Sequence, residues 1–199
     1  PAINPPRGAI LKTHLAIVAV LTVFLMAGSA MAYVLGFIVL PWLMTNLSLL
    51  TIVIGLPVLA MVARALFLPL GVGFAVLTKR VLIGTYEPGQ HPIWGSYYLR
   101  HWLVQRVAQF IPWRLIAGTE LQCVVLRLLG ARIGENVHIH KGVQCTHGGW
   151  DLLTIGDNVT LGRDAAIRIV DFESQTMFMG PVVIGDNVTL ETRAGVSSY

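Results

Sequence analysis

Ile133-Gly134-Glu135-Asn136-Val137-His138, Ile155-Gly156-Asp157-Asn158-Val159-Thr160 and Ile184-Gly185-Asp186-Asn187-Val188-Thr189 are three copies of one template. Each runs aliphatic, glycine, acid, asparagine, valine, polar, and a second aliphatic follows one six-step later, at Ile139, Leu161 and Leu190. We continue the pattern to Val143, Ile167 and Val196. A six-residue period led by aliphatics predicts a parallel β-helix, in which each short strand turns one aliphatic inward and each corner is a compact turn. Glycine and asparagine tolerate the positive φ of such corners, and the acid can bond nearby amides.

One triangular coil needs three six-residue sides, about eighteen residues. The copies begin 22 and 29 residues apart, so the surplus must leave the coil as loops, predicted within residues 144–151 and 168–181. Loops carried on a rigid scaffold are where chemistry concentrates. Only sixteen residues run from Ile184 to Tyr199. Because a coil end exposes unpaired strand groups, we expect either more chain beyond it or another subunit against it. The six aliphatics Ile133, Val137, Ile155, Val159, Ile184 and Val188 are the expected core.

The region before the repeat belongs to a different solvent. Apolar residues make up 55% of the chain and charged residues 12%, against roughly 25% charged in a soluble domain. Between Thr13 and Thr78 the one formally charged residue is Arg64. Residues 15–42 are long enough to cross a core that needs about 20 apolar residues, and too long for a signal-peptide core of about 7–15. We read them as an uncleaved anchor, ending at Pro41 and Trp42. A second span is expected over residues 47–63. Basic residues flank both outer ends (Arg7, Lys12, Lys79, Arg80) and none lies in the connecting turn, so both termini are expected in the cytoplasm. The fold class that follows is a membrane helical hairpin plus interfacial helices, then a parallel β-helix. The domain boundaries are residues 1–80, 81–130 and 131–199.

Pro57, Pro69 and the Gly71/Gly73 pair are expected to kink or break the second helix, leaving residues 65–77 re-entrant or interfacial. Arg64 is read as snorkelling to the interface in preference to a functional intramembrane charge. Residues 96–110 form an amphipathic helix with Tyr98, Leu99, Trp102 and Leu103 on one side. Arg100, His101, Gln105, Arg106 and Gln109 take the other, a pattern suited to the headgroup layer. A further helix spans residues 121–129. The net charge of +4 comes from these flanks and faces, with no compact basic motif, which argues against nucleic acid as a partner. Cys123 and Cys145 are too few and too far apart for a disulfide framework or a zinc site. No motif calls for a cofactor or metal.

In combination, several runs resemble a known group. They are Tyr98-Leu99-Arg100-x-Trp102, Gly118-Thr119, Leu126-Arg127-Leu128-Leu129-Gly130-Ala131-x-Ile133-Gly134, Asp151-Leu152-Leu153-x-Ile155-Gly156-Asp157 and Gly180-Pro181-Val182-x-Ile184-Gly185. Over roughly residues 60–199 the chain resembles the membrane-bound C-terminal module of non-ribosomal-peptide-synthetase-like proteins, the group that includes ε-poly-lysine synthetase. The resemblance implies transmembrane helices joined to a left-handed β-helix like that of hexapeptide acyltransferases. It also implies modules that join amino acids without the usual condensation domain. With the cytoplasmic termini read from the charges, the expected place is the bacterial inner membrane with the β-helix on the cytoplasmic side. Members of the group carry a histidine before a Phe-Glu pair; here Ile169-Val170-Asp171-Phe172-Glu173 places Val170 there.

An acyl-transfer step needs a base for the attacking amine or hydroxyl, most often histidine. His147, in Cys145-Thr146-His147-Gly148-Gly149-Trp150-Asp151, is the candidate catalytic base with Asp151 orienting it. The plainer reading is an exposed loop histidine beside turn glycines. Cys145 with His147 makes a nucleophilic pair only on paper. His138 and His140 alternate with Ile139 and so point outward, and His14 is an interfacial residue at the entry of the first span. Two functions stay open. One is a membrane-tethered acyl- or aminoacyl-transfer module, inactive by itself if its base comes from a neighbouring module. The other is a non-catalytic scaffolding subunit of a larger membrane complex. Partners under either are the lipid bilayer and other subunits or modules of the same system.

Overall fold

A computed structural model describes residues 7–145 and 147–198, without the side chains of some positions up to Arg64. The readings placed on Arg64, Thr146 and Tyr199 lie outside the described residues. The chain forms two compact units, Pro1–Phe67 and Leu68–Tyr199.

The first unit holds helix α1 (Arg7–Asn46) and the beginning of α2 (Leu49–Leu82). At the junction, Asn46 Nδ2 and Thr45 Oγ1 donate to the Trp42 carbonyl at 2.7 and 2.9 Å, satisfying a helix-end acceptor. Ser48 then caps α2, its Oγ accepting from the Thr51 amide, as a helix N-terminus requires. Tyr33, Phe37 and Met61 are largely exposed. A helix apolar on every side has no core-facing stripe to set it against water.

α2 is long and apolar enough to cross a membrane. In α1 the corresponding apolar stretch among the described residues is Gly36–Asn46. The expected break in α2 is absent: one helix runs from Leu49 to Leu82 through both prolines and the glycine pair. Each proline deletes one ladder bond but leaves the rest, and the surrounding Leu, Val and Ala residues hold the helix. Gly71 serves packing. A Cβ there would stand 3.1 Å from the Phe110 carbonyl oxygen, so glycine lets that backbone approach α2.

In the second unit, strand β1 (Gly89–Pro92) precedes α3 (Ser96–Ala108), the single turn α4 (Trp113–Ile116) and α5 (Glu120–Leu128). The buried stripe of α3 is His101, Val104, Val107 and Ala108. This corrects the expected division, which put His101 on the polar side with Arg100 and Arg106. Tyr98, Leu99, Trp102 and Leu103 are only half-buried.

Ten short strands follow: β2 (Arg132–Ile133), β3 (His138–Ile139), β4 (Leu153–Ile155), β5 (Thr160–Leu161), β6 (Ala166–Arg168), β7 (Val170–Glu173), β8 (Thr176–Met179), β9 (Val182–Ile184), β10 (Thr189–Leu190) and β11 (Gly195–Ser197). Three sheets are parallel, ordered β2-β4-β9, β3-β5-β10 and β6-β11. Their registers align Ile133, Ile155 and Ile184 in one row and Ile139, Leu161 and Leu190 in another. In the third, Val196 pairs with Ile167, and Gln144 bridges Ala166. That bridge puts buried Cys145, not Val143, level with Ile167, correcting the row read from the sequence.

The repeat template has a direct physical basis in these rows. Asn136, Asn158 and Asn187 take φ of 53°, 55° and 60°, a region asparagine tolerates better than most residues. Their side-chain amides form a ladder, Asn136 to Asn158 and Asn158 to Asn187. Asp157 Oδ1 accepts the Glu135 amide at 2.6 Å and Asp186 Oδ1 the Asp157 amide at 2.8 Å. The glycine before each acid leaves room for this: a Cβ on Gly134 or Gly156 would lie 2.2 or 2.1 Å from the carboxylate of the next copy.

Of the six expected core residues, Val137, Ile155, Val159 and Ile184 are buried. Ile133, in the first copy, and Val188, in the last, are half-buried. The surplus between the second and third copies is not an irregular loop. It is the antiparallel β7–β8 hairpin, turning at Ser174 and Gln175, and β1 joins it in the order β1-β8-β7.

Candidate functional site

The surplus between the first two copies carries the candidate chemistry. Gly148 and Gly149 have φ of 87° and 74°, and a 3₁₀ turn, Trp150–Leu152, follows. Gly149 is tightly hemmed: a Cβ there would meet Ile169 Cγ2 at 2.7 Å and Val170 Cγ2 at 3.4 Å. The loop therefore lies beside the position where the resemblance expected a histidine. Trp150 is buried and donates its indole N–H to the Cys145 carbonyl at 3.0 Å.

His147 is exposed, and its backbone carbonyl accepts a bond from Gln105 Nε2. Asp151 does not orient it. Lys79 Nζ lies 2.7 Å from both carboxylate oxygens, and the Tyr86 amide donates to Oδ2 at 2.9 Å. The two side chains are only 7% and 14% exposed. Among the described residues no hydrogen bond joins His147 to Asp151. The structure thus brings Asp151 and Lys79 together and leaves His147 apart from Asp151.

Behind the loop stands a residue the sequence reading misplaced. His101 is 1% exposed, with Nδ1 3.1 Å from the Tyr86 hydroxyl oxygen. Its Nε2 has no hydrogen-bond partner among the described residues. The ring packs on Gly148, where a Cβ would fall 2.5 Å from Cε1. Burial, with smaller effects from His147 and His91, pushes the His101 pKa down to about 4. Burial also raises the Tyr86 phenol well above its ordinary value, and the charges of Tyr97 and Asp151 add to this. At neutral pH the pair is therefore an uncharged hydrogen bond. The spacing of His101 with Val104, Val107 and Ala108 carried the signal for an inward histidine.

Acid should expose this burial. The unfolded chain takes up a proton on His101 near the ordinary value of 6.5, whereas the folded chain resists until about 4. The stability contribution is full above 6.5 and is lost as the pH falls through that window. Replacing His101 by Gln should flatten the stability profile between those limits, measured by thermal unfolding across pH. An unchanged profile would show that another group sets it.

Cys145 does not form a nucleophilic pair with His147. Its thiol is buried, takes a bond from Gln122 Nε2 at 3.8 Å, and is pushed up to about 12, mainly by burial. A thiol held protonated is a poor nucleophile. His138 and His140 lie on the outside as expected, their rings edge to face at 4.6 Å. Among the described residues no group of three His, Cys, Asp or Glu is placed to hold a metal ion.

No family model and no solved structure matches the chain. It is 29% identical over 136 residues to the Delta-poly-L-ornithine synthetase of Acinetobacter baumannii (strain AB307-0294). The match covers 62% of this chain and 10% of the relative, so the chain spans a small part of that protein's length. The helices, the parallel rows and the loop carrying His147 thus stand in a chain with a peptide-synthetase-like relationship.

Proposed function

We propose that this chain is a membrane-tethered module of the acyl- or aminoacyl-transfer type within a peptide-synthetase-like system. In this reading α1 and α2 form a hairpin anchor with both ends cytoplasmic, and the three parallel sheets are the faces of a left-handed β-helix. The in-register rows of Ile133, Ile155 and Ile184 support a coil. The resemblance supplies the hand. The apolar length of α2 supports the anchor.

The observation that carries the functional reading is the placement of the His147 loop against Val170. A base on that loop reaches the neighbourhood where the resemblance puts the group's histidine. His147 would take the proton of an attacking amine as it adds to an acyl carbonyl and give it to the acyl donor's leaving group as the tetrahedral adduct collapses to the amide, a role worth about 10²–10⁴-fold in rate. Gln105 holds the loop by its backbone and leaves the imidazole free to turn toward a substrate. The name of the similar protein makes ornithine, or another diamino acid, the first substrate to test.

The scaffolding alternative rests on a specific observation too. Val170 offers no base, Asp151 is committed to Lys79, and Cys145 is buried. One experiment separates the two. In the full system containing this chain, His147→Ala should cut peptide-bond formation by at least about 100-fold, while His138→Ala leaves it unchanged. Equal rates for both variants, with the chain still required for assembly, would establish the scaffold instead.

A further inference from the structure

We propose that the groove formed by α2 and α5 binds one anionic phospholipid, an acyl chain along its apolar wall and the headgroup phosphate on Arg80. The proposal rests on the membrane-tether part of the reading above and goes beyond it by naming a site.

The groove has a cavity volume of about 470 Å³, within the usual range for ligand sites. Leu68, Val72, Val76 and Leu77 of α2 and Val125 and Leu128 of α5 line it, and the one charge in the lining is Arg80. The other basic residue of that helix turn, Lys79, is buried and neutralised by Asp151. Arg80 is exposed, and among the described residues no carboxylate pairs with it.

Two exposed stripes lead into the groove. On α2, Leu70, Phe74, Leu77 and Val81 follow helical spacing and all face outward. On α5, Leu121, Val124 and Leu128 do the same, although the opposite face of that helix is already buried at Gln122, Cys123 and Leu126. A helix in contact with water on its outer side would carry polar residues there. Contiguous apolar surface of this kind marks an interaction site. The helix that supplies one wall is also long enough to span a bilayer, so in the tethered reading its neighbours there are lipids. A phosphate suits Arg80 because a guanidinium can make paired, charge-assisted bonds to its oxygens. A seated protein segment would need partners for its backbone groups, and the apolar lining supplies none besides Arg80.

The test uses the whole chain purified in detergent, with native mass spectrometry reading added phosphatidylglycerol against phosphatidylcholine. The unaltered chain should retain phosphatidylglycerol preferentially. Arg80→Ala should weaken that retention about fivefold, the effect of one basic residue on an anionic headgroup, and bring the two lipids level. Gly73→Leu should weaken both, because a side chain there enters open space beside the groove without disturbing the fold. Equal retention by all three proteins would overturn the proposal. So would inorganic phosphate alone displacing the lipid at millimolar concentration, since the acyl chain would then contribute nothing. Flotation with phosphatidylglycerol vesicles separates the two readings. A chain that floats but shows no variant effect loses only the groove, whereas a chain that does not float loses the tether as well.

Discussion

Replacing Asp151 by alanine is expected to lower the stability of the Leu68–Tyr199 unit by about 3–5 kcal/mol, the usual cost of breaking a buried ion pair from one side. The variant would leave the Lys79 ammonium, 7% exposed, without its carboxylate. It would also orphan the Tyr86 amide, which bonds the second oxygen. The surroundings are closed around the pair: a Cβ added at Gly130, whose φ is 112°, would stand 2.2 Å from Asp151 Oδ1. Removing both partners should cost far less, because no buried charge remains. The double variant Lys79→Met, Asp151→Leu should therefore recover much of the loss. Amide hydrogen exchange in detergent checks both. A single variant as protected as the parent would show that the pair is not holding α2 to the 3₁₀ turn.

Ile155→Asp should have an effect of similar or greater size. Ile155 is 2% exposed and sits in the middle strand of its sheet, paired on one side with Ile133 and on the other with Ile184. A carboxylate buried in that apolar cluster costs several kcal/mol, out of a total stability of about 5–15 kcal/mol. The parallel sheets should fail to form. Val183→Asp provides the control, since Val183 lies in the adjoining strand of the same sheet with its side chain exposed. Its protection pattern should match the parent. If both variants fold, the inward assignment of the row is wrong.

The repeat copies announced their own corners. Gly-Asp-Asn and Gly-Glu-Asn are local signals, in which φ preference and short-range hydrogen bonding act within a few residues, and the asparagines take the positive φ expected of them. Residue spacing likewise located both surplus segments. It could not say that the hairpin within residues 168–181 takes Gly89–Pro92 as a third strand, because that pairing joins positions far apart in the chain. Cys145 was within reach of the spacing, since six-step counting from Ile133 through Ile139 arrives at it, whereas Val143 lies six residues after Val137; the register shows which count holds.

The candidate site divides in the same way. His147 stood out because a histidine beside two glycines in an extruded segment is visible in one stretch of sequence. The partners of Asp151 were not, since Lys79 and Tyr86 lie 72 and 65 residues away. His101 was read outward because its helix has aromatic residues on one side and arginines on the other, both able to lie half-buried. By itself the sequence determined the apolar helices, the six-residue period and the corners, all of which rest on local preference and on burial periodicity. Tertiary structure alone decided which face of α3 is buried and that Asp151 belongs to Lys79 rather than His147. Those outcomes depend on which distant groups meet, and the packing energy of such meetings exceeds the local preferences that a sequence displays.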